Sequence, residues 1–368
     1  MRYRKVKKKR NGWENQVKKP FNCAMHNIIQ IRDRLWFWAF RENCLCSADE
    51  DLKKLRIELV EVNSLNAGPF NGYSSIVKYE NKIVVLPEAG HNDIIIFDTL
   101  RGSAEYINFP ENKERVGKLF CDGVVRGEEL FLIPCQYGKI LVFNFKTGNL
   151  DTIELQSKNK DGLGYAWGSI FVDGPDVYFS ALNGNEIHIL NMESKNVKNL
   201  KCKEFDSGSG VLGDGENLWI IPRKTDCIMR CDKNLEFVEK IVCFPQGYEG
   251  GEWSFSREKI IDDCIFLLPR TANMGLTVDL NQLRVEPVDF FREYSAVETV
   301  FSKFDPVSNV WKDTCGIRFI MSETGGIINE DSTIIYPELE RSVPVIIGRE
   351  RPIIESDSIG LEALLNNI

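Results

Sequence analysis

The chain reads as an all-β repeat fold, and three observations lead there: an apolar five-residue motif that recurs, a near-constant spacing, and a polar marker in register with it. The motif is clearest at Ile83–Pro87 (IVVLP), Leu130–Pro134 (LFLIP), Leu218–Pro222 (LWIIP) and Ile265–Pro269 (IFLLP). Variants without the proline stand at Leu35–Ala39, Val177–Ala181 and Arg318–Ser322. Starts at 35, 83, 130, 177, 218, 265 and 318 leave gaps of 48, 47, 47, 41, 47 and 53 residues. Ten residues past the end of a motif come Asp49, Asn144, Asn191, Asp232 and Asp279, with Asp98 at eleven in the second copy. An Asx side chain bonds its own backbone and starts a turn. In the seventh copy the nearest such residue is Asn329, only seven on, which predicts a shorter hairpin there.

Each unit shows four pieces in order. A short half-polar strand comes first (Ser75–Tyr79, Gly123–Arg126, Ser169–Val172), then a tight turn such as Asp173–Asp176 or Gly213–Asn217. The apolar motif follows, and a second hairpin closes the unit, as in Ile140–Phe143 with Leu150–Glu154. A strand that is apolar throughout, rather than alternating, is one covered on both faces. A proline has no N–H to give, so it belongs where the ladder stops. Four strands per unit at this period predict a β-propeller of seven four-stranded blades, with six the alternative. A β-sandwich would leave the fixed register of the two markers unexplained.

Three regions follow: a basic N-terminal arm over 1–26, the propeller over 27–337, and a C-terminal tail over 338–368. The long last gap places Phe290, Tyr294, Val297, Phe301 and Phe304 on one helical face with Asp289 as cap, which predicts a short inserted helix. In the tail, Val343–Ile347 reads as a strand that closes the ring, and Leu361, Leu364, Leu365 and Ile368 as one face of a short helix.

Charge is unevenly spread. Residues 1–20 hold nine Lys or Arg against Glu14, so this arm is +8 while the remaining chain carries −16 of the overall −8. The arm is expected to be a solvated tail or one docked on the acidic body, with peripheral contact to an anionic membrane as a weaker reading. An acidic body argues against nucleic-acid binding, which needs many phosphate contacts. No apolar run is long enough to span a bilayer and the N-terminus lacks the apolar core of a secretory signal, so a cytoplasmic chain is expected. Eleven scattered cysteines, often within strands, fit a reducing compartment.

On residues 27–337 the chain resembles the β-propeller superfamily. It lacks the Trp-Asp dipeptide of WD40 blades. Its Gly250-Gly251 and Gly325-Gly326 pairs are isolated, unlike the fixed Gly-Gly of Kelch blades, while Asn144–Leu150 (NFKTGNL) is similar to the turn of quinoprotein blades. The tryptophan that those blades carry further on is missing, so the resemblance implies no quinone cofactor and transfers no catalytic residue.

In a propeller, the loops between second and third strands and those between blades open on one face. That face is expected to present Tyr73, Tyr137, Tyr165, Trp167, Arg223, Tyr248, Trp253 and Arg270. Aromatic rings beside amides and guanidinium groups suit a protein interface or a glycan-like ligand. The same rings suit plugs between neighbouring blades. No metal-ligand spacing, phosphate-binding loop or dinucleotide fingerprint is present, so neither metal nor cofactor is expected. For acid–base chemistry the candidates are His91, in what reads as an exposed turn, and the carboxylates Glu249 and Glu252; His188 reads as structural. The expected function is a non-enzymatic binding scaffold. The alternative is a glycan lyase or hydrolase using His91 or Glu249/Glu252 in the central funnel.

Overall fold

A computed structural model of the chain describes residues 23–25, 27–39, 43–49, 54–61, 72–87, 91–110, 119–155, 169–181, 184–204, 208–251, 254–261, 263–269, 272–287, 299–305, 310–319, 333–335, 338–340, 342, 344–348 and 351–354. The basic arm over 1–20, His26, and the tail segment read as a C-terminal helix lie outside the described residues.

The described residues form seven sheets; five of them are antiparallel meanders of four consecutive strands, and the first sheet begins as one. The second sheet is typical, with Tyr73–Tyr79 innermost, then Lys82–Pro87, Asp93–Asp98 and Ser103–Asn108. The apolar motifs are the second strands. In Lys82–Pro87 and Glu129–Pro134 every residue after the first is buried. Their two faces enter different hydrophobic clusters: Ile83 and Val85 pack toward the first sheet with Trp36 and Leu59, while Val84 and Leu86 pack toward the third with Leu130 and Leu132. The core is thus a series of slabs between neighbouring sheets.

The prolines mark a second regularity. Pro87, Pro134, Pro222 and Pro269 pair with Tyr73, Phe120, Gly208 and Phe255, and in all four sheets the inner strand bulges at the next residue. A β-bulge absorbs a residue that the ladder cannot pair, and a proline offers no N–H to that ladder. Two of the proline-free copies behave differently. In the first and fourth sheets the inner strands are three residues long, Ile29–Ile31 and Phe171–Asp173, and stop short of Ala39 and Ser180.

All six expected Asx residues cap turns before a fourth strand. Asp98 Oδ1 accepts from the N–H groups of Leu100 and Arg101, Asn144 Oδ1 from Lys146 and Thr147, and Asp279 Oδ1 from Asn281 and Gln282. Asp49, Asn191 and Asp232 accept from Lys54, Ser194 and Glu236. At the inner hairpins the turn residues Gly127 and Gly174 adopt φ of 59° and 57°, the left-handed region glycine enters without strain.

The last sheet differs from expectation in two ways. Thr299–Asp305 is its inner strand, so Phe301 and Phe304 belong to a strand rather than to an inserted helix; residues 288–298 lie outside the description. Its second strand is Val310–Phe319, paired from Asp305↔Val310 onward. That strand begins eight residues before the expected motif at Arg318, and its Ile317 and Arg318 pair with Ile335 and Ile334 of the third strand; residues 320–322 of the motif and Asn329 lie outside the description.

Both chain ends cross the seam. Cys23–Met25, counted with the arm in the sequence reading, pairs with Thr333–Ile335 and supplies the outermost strand of the last sheet. The tail crosses the other way. Glu338–Leu339 and Val345–Gly348 add in parallel to Lys54–Glu61, the outer strand of the first sheet, and Arg351–Ile354 folds back on them. The strand expected near Val343–Ile347 therefore exists, and it thickens the first sheet while the N-terminal strand completes the last.

Replacing Asn144 with alanine removes the acceptor for two N–H groups. Chemical denaturation should show the chain destabilised by about 1 kcal/mol, with an unchanged denaturant slope.

Candidate functional site on the loop face

At the fifth and sixth sheets the loops after the second strands meet the loop that joins the two sheets. Residues 245–251 and Ser254 of the joining loop are fastened to both neighbours. Tyr248 donates its hydroxyl to Thr225 O at 2.9 Å, Ser254 N donates to Arg223 O at 2.9 Å, and Thr225 N donates to Ser254 Oγ at 3.0 Å. Asn273, from the sixth sheet's loop, is the hub. Its Oδ1 accepts from Glu249 N at 2.9 Å, its Nδ2 donates to Gly247 O at 2.8 Å, and its own N–H donates to Glu249 O at 3.1 Å. Lys224, Asp226, Glu249 and Asn273 are exposed on this frame.

Three of the four tyrosines expected on the face, Tyr73, Tyr137 and Tyr248, are plugs between sheets. Tyr73 is 1% exposed, lies edge-on to Trp38 at 5.5 Å and donates its hydroxyl to Asp93. Burial and the Asp93 carboxylate both push the Tyr73 hydroxyl far above the usual tyrosine range, so it stays protonated and remains a donor. Tyr137 packs edge-on to Phe109 at 5.3 Å and donates to Pro110 O at 2.9 Å, sealing the second sheet to the third. Tyr248 stacks on Phe244 at 4.7 Å and is half-buried; burial pushes its hydroxyl up to about 12. Arg223 is partly exposed, and its carbonyl holds Ser254. Tyr165, Trp167, Glu252, Trp253 and Arg270 lie outside the described residues.

His91 corrects the expectation of an exposed turn. It is 6% exposed, its ring 4.7 Å from that of Tyr73 and its Nδ1 3.9 Å from Asp93 Oδ1. The loop turns inward here because Tyr73 and Asp93, on adjacent parts of the second sheet, hold a buried polar knot with it. Glu249 is exposed, so His91 and Glu249 sit in opposite environments. His188 is fully buried, stacked near Phe179 at 5.1 Å, with Nδ1 2.7 Å from Asn199 Oδ1. Burial holds its imidazole below the usual histidine range, partly opposed by the Asn199 contact. Among the described residues no cluster of three or more His, Cys, Asp or Glu could hold a metal.

One charged residue on the inner strands went unremarked in the sequence. Glu258 is 1% exposed, and its carboxylate spans the fifth sheet's inner strand to reach the fourth sheet. Ser169 Oγ lies 2.7 Å from the Glu258 carbonyl and 2.9 Å from Oε2, and Ser169 N donates to Oε2 at 3.2 Å. Gly210 lies beneath the crossing; a methyl group there would sit 2.7 Å from Oε2. The signal was available only as an acid within an inner strand opposite a small residue two sheets' spacing away.

Comparison with solved structures matches this ring of sheets. Virginiamycin B lyase from Staphylococcus aureus aligns with a TM-score of 0.58 at 13% identity, over 88% of this chain and 96% of that one. A streptogramin B lyase gives 0.57 at 11% identity, over 86% and 97%. The chain is a β-propeller. The extracellular domain of a putative one component system from B. thetaiotaomicron gives 0.52 at 9% identity, over 86% of this propeller and 39% of that chain. At these identities the likeness carries the fold alone. No protein-family model matches the propeller, and no curated protein matches its sequence.

Two outcomes are expected. Gly210→Ala should destabilise the propeller by about 1–3 kcal/mol in urea titration, because the carboxylate above it has no free space. Stability should also fall as pH drops below about 6.5, where the unfolded chain protonates His188 and the folded chain, with its lowered pKa, does not. The fall should end once pH passes the folded-state pKa. Thermal melts of His188→Gln across pH 7.5 to 5 should show part of that slope removed.

Proposed function

We propose that this propeller is a binding scaffold whose working surface is the loop face, taking a protein or a glycan-like ligand. The observation that carries the reading is the fastened frame of loops 223–226, 245–254 and 272–275, which holds Lys224, Asp226, Glu249 and Asn273 out to solvent. A surface whose loops are ordered before a ligand arrives loses less entropy on binding. The strands repeat from unit to unit while the residues after each motif do not: Glu88-Ala89-Gly90, Cys135-Gln136-Tyr137, Arg223-Lys224-Thr225 and Arg270-Thr271-Ala272 share no pattern. A constant frame with a different residue set at each loop is the arrangement of a recognition surface.

The catalytic alternative drew on His91 or on Glu249 with Glu252. The burial of His91 against Tyr73, away from the exposed Glu249, gives more weight to binding. A cytoplasmic location is part of the same proposal. Its support is that the nine cysteines whose side chains are described are free thiols, seven of them buried.

The test is a glycan array together with cross-linking capture of protein partners. The wild-type chain is compared with a variant carrying Lys224→Ala, Glu249→Ala, Trp253→Ala and Arg270→Ala. Binding at least tenfold weaker in the variant, with an unchanged melting temperature, is expected. Full retention of every ligand by the variant would remove the loop face as the working surface.

A further inference from the structure

The third strand of the first sheet, Cys44–Ala48, carries two thiols in contact. Successive side chains on a strand point to opposite faces. Leu45 enters the slab with Trp36 and Trp38, so Cys44 and Cys46 share the other face, opposite Ala39 and Phe37. Their Sγ atoms lie 3.6 Å apart, and both residues are fully buried. Cys44 is the first residue of the strand and follows Asn43, whose φ of 48° makes a left-handed turn there. The end of a strand opens more readily than its centre, so Cys44 is the thiol that solvent reaches first.

Across the ladder, Cys44 pairs with Val60 and Cys46 with Ile57. The register slips between Leu45 and Cys46 and leaves Glu58 out, so the ladder is already interrupted beside the two sulfurs. Ile57 and Val60 are also held by the C-terminal tail on their other side. Ser342 Oγ accepts from Ile57 N at 3.1 Å and donates to Ile57 O at 2.8 Å, while Val60 pairs in parallel with Ile346. The next residue, Ile347, is 3% exposed and enters the slab with Trp36 and Leu59. A change of shape at Cys44 and Cys46 therefore reaches the tail through one intervening strand.

We propose that Cys44 and Cys46 form a reversible disulfide, and that closing it loosens the tail strand Val345–Gly348 from the edge of the first sheet. A disulfide holds its sulfurs about 2 Å apart, so each moves inward by about 0.8 Å. Residues two apart in an extended strand have Cα atoms about 6.7 Å apart, the upper end of the range a disulfide bridges. The bridge puckers the strand where its ladder is interrupted, and a bridge under such tension is readily reduced again. The oxidant is a peroxide. The Cys44 thiolate, exposed by opening of the strand end, attacks one peroxide oxygen; the S–O bond forms and the O–O bond breaks. The departing oxygen takes up the proton that Cys44 released and leaves as water. The Cys46 sulfur then attacks the sulfenic acid, forming S–S and breaking S–O, and a second water leaves with the Cys46 proton. Two thiols thus give up two electrons and two protons, and one hydrogen peroxide becomes two waters.

The test uses the full-length chain. It is treated with hydrogen peroxide while folded, its remaining thiols are blocked with N-ethylmaleimide in denaturant, and it is cut with trypsin. The peptide 42–53 holds Cys44 and Cys46 and no other cysteine. The expected product is this peptide two hydrogens lighter than its reduced form and without the blocking group, at least tenfold above the untreated chain. Hydrogen exchange of the amides in 338–348 should then run at least tenfold faster than in the reduced chain. Dithiothreitol should restore both the peptide and the protection, a readout that needs no variant. In a Cys46→Ala chain, peroxide should leave exchange in the tail unchanged. Recovery of 42–53 with both thiols carrying the blocking group overturns the proposal. So does a bridged peptide with exchange in the tail unaltered, or a tail loosened equally in Cys46→Ala, which places the cause at another oxidised residue.

Discussion

Among the described residues, the second strands are buried by the neighbouring sheets rather than by their own. Ile83 and Val85 look toward one neighbour while Val84 and Leu86 look toward the other, so a sheet taken out of the ring would expose apolar surface on both faces. That constraint reaches the ends of the chain. The first and last sheets have neighbours distant in sequence, and the chain meets the requirement by threading its N-terminal strand into the last sheet and its tail onto the first. The loop face depends on the same arrangement, because the loops are fixed to one another across the gaps between sheets that the slabs hold together.

Much of this architecture was legible in the sequence because it rests on local chemistry repeated many times. A strand covered on both faces must be apolar throughout, and an Asx turn needs its carbonyl or carboxylate at one position, so both leave a mark that spacing reveals. What escaped detection depends on distant partners. Cys23-Ala24-Met25 is too short to be read as a strand, and only Thr333–Ile335, some three hundred residues away, makes it one. In the last sheet Phe301 and Phe304 satisfy helical spacing, yet pairing with Ile317 and Trp311 decides their conformation.

The candidate site was less legible. Tyrosine on a loop can be a contact residue or a plug, and the difference lies in what its hydroxyl finds. Tyr73, Tyr137 and Tyr248 each find an acceptor inside the molecule, in Asp93, Pro110 and Thr225, none of them predictable from the flanking residues. His91 reads as a surface residue by its company of Asn92 and Asp93, and becomes buried only because Tyr73 lies against it. Asn273 was visible as one polar loop residue among several. Its grip on Gly247 and Glu249 joins segments more than twenty residues apart, a relation that residue type alone does not carry.

The crossing of the two chain ends has a consequence for biosynthesis. A chain emerging from the ribosome can stack its sheets in order, each new one covering the last. Until residues 299–348 appear, however, the first sheet has neither its seam neighbour nor the strand that brings Ile347 over Trp36 and Leu59. The nascent propeller therefore carries an open, apolar flank until they are made. It is at this flank that a chaperone would be needed, and there that a truncated product would first aggregate.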